Sequence, residues 1–411
     1  MADTIIIGAG QSGLVMSRQL RDAGHAHVVL ERYRIAERWR SERWDSLRFQ
    51  YPNWSLRLPG KTYVGSEPDA YAHHADIIQF LTDYAEQIAA PVREGVAVTR
   101  LSAGDGGTYL IETSAGPMVA RNVVLATGPF QSAFVPDLAK GLPVDMLQLD
   151  AAAYRNPQVL PPGAVLVVGS GASGCQIADE LNAAGRRVYL SASRHRRVPR
   201  RYRGRDMIWW FERMGRFDVT IDSFPGGRYP PSTVVTGVGG GYDVDLRQLA
   251  RDGVCLLGRV TAIVKNKVVL GDDLTAILDG ADQALAAFIT AAEALAERPE
   301  VAADLLPSPA PRPQTVPASS DAHTQADRSQ LDLAEVGIGS VIWATGHQFD
   351  LNWVDLPVFD AAGRPDQVRG VTACAGLYFL GLHWMHTFKS GQLSYVSEDA
   401  AHVARHLLKR A

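Results

Sequence analysis

The chain has 411 residues, a net charge of −3, 46% hydrophobic residues and 21% charged ones. That length predicts two or three domains, each burying its own core. The near balance of 41 Lys and Arg against 44 Asp and Glu argues against a nucleic-acid binder, and the apolar content against disorder except locally. Cys175, Cys255 and Cys374 lie far apart, with no CxxC and no metal-ligand spacing, so they read as thiols in a reducing compartment and no metal site is expected. No basic, apolar leader opens the chain, and no run approaches the ~20 apolar residues of a membrane span. The expectation is a soluble cytoplasmic protein, with a homodimer as the common assembly.

Thr4-Ile5-Ile6-Ile7 is a β-branched run without alternation, as in a strand buried on both faces of a parallel sheet. It stops at Gly8-Ala9-Gly10-Gln11-Ser12-Gly13, a helix is predicted from Leu14 to about Ala23, and His27–Glu31 is the next strand. His73-His74 marks a helix start. Val119–Pro129 reads as a strand ending in Ala126-Thr127-Gly128, where the chain crosses between domains. A second βαβ unit begins at Ala164–Val168, turns at Gly169-Ser170-Gly171-Ala172-Ser173-Gly174, runs helical through Leu181 and returns as Arg187–Leu190. Residues 273–306 read as an Ala-rich helix and 307–330 as an exposed proline-punctuated loop, together a lid, a dimer contact or a solvated insertion. Val341–Trp343 then runs into Ala344-Thr345-Gly346, and Ser397–Leu408 closes the chain as a helix. The fold class predicted is α/β with two Rossmann-like dinucleotide-binding domains, residues 1–158 with 335–411 forming one and 159–334 the other.

A dinucleotide site needs a strand, a glycine turn that lets backbone N–H groups approach a pyrophosphate, and a helix N-terminus aimed at that anion. Gly8, Gly10 and Gly13 meet these needs, and Glu31 ends the second strand ~20 residues on, where a carboxylate accepts from ribose hydroxyls. Gly169, Gly171 and Gly174 repeat the turn, but the strand after it ends in Ser191-Ala192-Ser193-Arg194. Ser193, Arg194 and Arg197, with Arg196, Arg200 and Arg201 nearby, would bind a 2′-phosphate that an acid would repel; the alternative is a solvated basic loop. One acid-ended and one basic-ended site predict FAD in the first and NADPH in the second.

With those motifs go Trp39-Arg40, Arg43-Trp44, Leu58-Pro59-Gly60, Gly376–Leu382, Ser390-Gly391 and Glu398-Asp399-Ala400. In this order the chain resembles the flavin-containing monooxygenases and related single-component flavoprotein monooxygenases, the plant YUCCA group included. The resemblance implies that Arg40, Trp44, Thr127, Gly128, Thr345, Gly346, Gly391 and Gln392 line the cofactors. It implies that NADPH reduces FAD, that dioxygen adds at flavin carbon 4a, and that the hydroperoxide passes one oxygen to a small organic substrate, nitrogen or sulfur favoured. Carbon-centred attack, or a reductase or oxidase, are the alternatives. Asn53 is either the side-chain partner beside the flavin or a turn residue after Pro52. The motif FxGxxxHxxx(Y/F) of that family is absent: Val144, Met146 and Asp150 stand where Phe, Gly and His are expected, and Tyr154 alone remains. Tyr202–Phe217 is a substrate cap or a packed helix, and His386 or Lys389 would steady a reduced flavin anion, unless these are ordinary buried groups.

Overall fold

The computed structural model describes residues 2–224, 230–307 and 328–410; most of the proline-punctuated loop lies outside them. Thr4, Ile5 and Ile6 are fully buried, because the strand Ala2–Ile7 is sandwiched between two parallel neighbours, pairing Ile5 with both Val28 and Val123. The eight-stranded sheet built on it runs in the order 354–355, 98–103, 109–113, 118–125, 2–7, 27–30 and 92–93, with Leu377–Phe379 also paired to Met118–Leu125. The helix after the first strand starts at Gln11, earlier than Leu14, because Gly10 already occupies its N-cap. It ends at Asp22, where Gly24 takes φ +68° and its N–H bonds Arg21. His73 caps the helix His74–Gln87 in a reciprocal box with Asp76, as the histidine pair suggested. Ser397–Leu408 is the closing helix.

A second, five-stranded sheet is parallel throughout, in the order 147–150, 338–343, 164–168, 188–191 and 255–257. Its central strand sends Val165 and Val167 to one apolar cluster and Leu166 and Val168 to another, so both faces are covered. Two of its strands, Leu147–Asp150 and Ile338–Trp343, fall outside the 159–334 span predicted for this unit. Ile338–Trp343 pairs with the central strand and Leu147–Asp150 with Ile338–Trp343, and without them the central strand would expose an apolar edge. The two chain crossings lie side by side: Ser132–Ala133 pairs antiparallel with His347–Gln348.

The Ala-rich helix spans Leu274–Ala296. Among the described residues it is the one helix long and apolar enough to cross a membrane, which the sequence reading had excluded. Its Asp282 pairs with Arg197 and Arg247, and its Asp279 with Arg247, so its charged side is bound to the second domain. Gln330, placed in the loop, begins a strand pairing with Lys267–Val269.

Candidate functional site

Two glycine turns of the same construction dominate the site. Gly8 has φ +109°, and a Cβ there would lie 2.7 Å from the Ala126 carbonyl oxygen; one on Gly13 would lie 1.9 Å from that of Gly8. Gly169 and Gly174 repeat this, at 2.5 Å from the Ala344 oxygen and 1.9 Å from that of Gly169. Ala126-Thr127-Gly128 and Ala344-Thr345-Gly346 are therefore the backs against which the two turns pack. In contrast nothing stands within 4 Å of a Cβ on Gly10, and around Gly171 only Ser232 Oγ approaches, at 3.9 Å. The middle glycine of each turn thus faces open space at a helix N-terminus, which suits an approaching anion.

The strand-end residues differ. Glu31 accepts from the N–H of Ala9 at 2.8 Å and of Tyr33 at 3.1 Å, which ties it to the first turn while leaving lone pairs for a ligand. In the second turn Ser193 takes that place: its Oγ accepts from Ser170 N–H at 3.2 Å and its N–H donates to Ser170 Oγ at 2.8 Å. Arg194 is exposed and has no carboxylate partner among the described residues. The other arginines divide. Arg197 is buried between Asp245 and Asp282, at 2.8 and 2.7 Å, so it is a packing ion pair, not the phosphate ligand expected of it. Arg201 bonds the carbonyls of Gly240 and Gly241. Arg200, 1% exposed, bonds Asp206 through two nitrogens and the Gln50 carbonyl, and lies over the Tyr71 ring; Tyr71 in turn donates to Asp206 at 2.6 Å. That cluster clasps the first domain to the second. Arg196 is half-buried beside Arg216 and meets no acid among the described residues.

A late segment closes over the first turn. Gln11 donates to the Gly391 carbonyl at 3.1 Å, a Cβ on Gly381 would collide with Ser12, and Tyr51 donates to Gln392 at 2.5 Å. Next to Tyr51, Asn53 is 6% exposed and donates its amide to the Glu67 carbonyl at 3.0 Å. Its Oδ1 is buried without a partner, an atom that burial makes costly unless a ligand donates to it. Asn53 therefore presents a buried acceptor beside Tyr51.

Two residues implied by the resemblance stand elsewhere. Arg40 donates to the Ile35 carbonyl and Thr82, and Trp44, 4% exposed, packs in the second domain's core. Neighbouring Arg43 was not singled out for the site. It lies over Trp39, bonds the Glu42 carbonyl, and is lowered to about 10 by burial, which the Glu42 charge opposes and Arg38 reinforces. Arg43 has no carboxylate at ion-pair distance among the described residues, the Glu42 charge acting on it only from further off, which makes it a candidate anion contact that only its environment reveals. Thr127 accepts from Gln131, and Thr345 donates to Phe134, so both threonines fasten the crossings. Tyr154 donates to Glu180 inside the second domain.

The aromatic stretch 202–217 is a wedge between the domains. Its helix Met207–Arg213 packs on Phe288, and Phe217 stacks on Tyr395 at 4.7 Å and Phe388 at 5.7 Å. Lys389 pairs with Asp218 and Glu398 at 2.7 and 2.8 Å, which occupies it away from the flavin role expected. His383 is exposed yet crowded by protein, and that desolvation lowers its imidazole to about 4.

A family model described as pyridine nucleotide-disulphide oxidoreductase matches residues 5–205. A CzcO-like oxidoreductase of Geobacillus kaustophilus is 30% identical over 99% of both chains. The probable indole-3-pyruvate monooxygenase YUCCA9 of Arabidopsis thaliana is 30% identical over 43% of this chain and 44% of its own. Among solved structures, a flavin-containing monooxygenase from Stenotrophomonas maltophilia superposes with a TM-score of 0.64 at 20% identity, covering 100% of this chain and 98% of that one. A bacillithiol disulfide reductase from Staphylococcus aureus gives 0.63 at 13% identity, covering 99% and 98%.

Proposed function

The chain belongs to the CzcO-like oxidoreductases, and from that premise we propose that it is a flavoprotein of the flavin-containing monooxygenase type that oxygenates a small organic molecule with dioxygen, using NADPH as reductant and nitrogen or sulfur as the favoured target. The observation that carries this reading is the pair of matched glycine turns with different ends, Glu31 in one and Ser193 with Arg194 in the other. FAD belongs to the first and NADPH to the second. The fit of FAD rests on the open Gly10 face and on the unpartnered Asn53 Oδ1. Bound there, FAD would supply hydride acceptance from NADPH and the activation of dioxygen.

The chain's own residues do the rest. The N-terminus of the helix Gln11–Asp22, capped by Gly10, would hold the flavin pyrophosphate. Asn53 Oδ1 accepts from the cofactor, and Arg43 offsets its negative charge. The Phe217, Phe388 and Tyr395 stack keeps water from the junction of the domains. Arg194 and Arg196 distinguish NADPH from NADH by the 2′-phosphate. Reduction of a disulfide through Cys175 or Cys255 is disfavoured, since both are buried and burial raises both thiols, and half-buried Cys374 has no second cysteine beside it in a CxxC. Three unpaired cysteines also support a cytoplasmic place of work.

The test is anaerobic reduction with NADPH followed by rapid mixing with dioxygen while the flavin spectrum is recorded. A long-lived species between reduced and oxidised flavin, decaying faster when an amine or thioether is added, is the expected result. Direct return to oxidised flavin with stoichiometric hydrogen peroxide would overturn the oxygenase reading.

A further inference from the structure

A cavity of about 540 Å³ opens between the turn after the helix Met207–Arg213 and the last third of the helix Leu274–Ala296. Arg213, Arg216 and Arg298 line it, and none of its lining residues is acidic. Arg213 is spoken for, stacked over Trp209 at 4.4 Å and reaching Asp304 at 3.4 Å. Arg216 and Arg298 have no carboxylate partner among the described residues. The Arg216 charge also reaches half-buried Arg196, disfavouring its protonated form. Several guanidinium groups around one cavity repel one another unless an anion joins them. The remaining wall is apolar, formed by Val219, Ala294 and Leu295.

From this pairing of uncompensated cations with an apolar wall we infer that the cavity binds a small organic acid: Arg216 and Arg298 take the carboxylate, and Val219, Ala294 and Leu295 take the hydrocarbon body. The inference goes beyond the oxygenase reading and stands or falls by binding alone.

The experiment is calorimetric titration of the flavin-loaded protein with octanoate. Saturable one-site binding is expected, weakened about tenfold or more in Arg216→Gln and in Arg298→Gln, since each loses a charge-assisted hydrogen bond. Ala294→Glu places a carboxylate in the cavity from an exposed helical position. It should abolish binding while flavin content and melting temperature stay unchanged, which keeps the test decisive if an arginine variant loses its fold. Octan-1-ol and inorganic phosphate, each carrying half of the recognised chemistry, should bind far more weakly. Absence of saturable octanoate binding, or equal affinity in all three variants, would overturn the inference. So would displacement of octanoate by adenosine 2′,5′-bisphosphate, which would make the cavity part of the dinucleotide site.

Discussion

Single residues with the same sequence signal have different physical duties. Gly10 and Gly13 both belong to the first turn, yet a Cβ on Gly10 meets open space and one on Gly13 meets a backbone oxygen at 1.9 Å. Gly10→Val should therefore yield a folded, colourless protein with a near-native melting temperature. Gly13→Ala should instead lose about 3 kcal/mol or more of stability, because backbone cannot move aside as a side chain does; denaturant titration separates the two. The arginines divide in the same manner. Arg194→Ala should raise KM for NADPH roughly tenfold to a hundredfold and leave KM for NADH alone, the effect of one lost charge-assisted hydrogen bond. Arg197→Ala should leave the NADPH to NADH ratio unchanged and cost about 3 kcal/mol of stability, since it uncovers Asp245 and Asp282. Nothing in the spacing of 194–201 distinguishes Arg194 from Arg197: the acids of Arg197 come from 245 and 282, and only folding brings those near.

At the scale of elements, both βαβ units were legible, because an apolar run, a glycine turn and an amphipathic helix are local signals. The Ala-Thr-Gly ends were legible as strand ends and as crossings, but not as the packing partners of Gly8 and Gly169, which are non-local contacts. The clasp of Arg200, Asp206 and Tyr71 was invisible for the same reason. Its Asp206 also accepts from Ile208 N–H at 2.8 Å and so caps the helix Met207–Arg213. Asp206→Ala should lower stability by about 3–5 kcal/mol, the cost of leaving Arg200 buried and unpaired. Asp206→Asn, which keeps the cap acceptor, should lose less. Equal melting temperatures for Asp206→Ala and the parent would show that the clasp is not needed to hold the domains.

For the whole molecule, burial of His27 and His195 sets the direction of pH dependence. Desolvation lowers both imidazoles, although each also bonds a backbone carbonyl. The unfolded chain then binds more protons than the folded one below about pH 6.5, so stability is full above that range and falls as pH drops through it. Urea midpoints measured from pH 7.5 to 5 should decline, and His195→Gln should flatten the decline.

The residues in order determined the α/β class, the two glycine turns and the acid and basic ends on which the proposed placing of FAD and NADPH rests. Each of these is written in contiguous residues whose backbone geometry is locally dictated. Tertiary structure decided which strands complete the second sheet, drawing Leu147–Asp150 and Ile338–Trp343 from outside the expected span. It also took Arg197, Arg200 and Lys389 for ion pairs and left Asn53 Oδ1 without a partner. Whether a charged or polar side chain is free for chemistry depends on what distant segments bring within a few ångströms of it, and in this chain the partners lie up to 380 residues away.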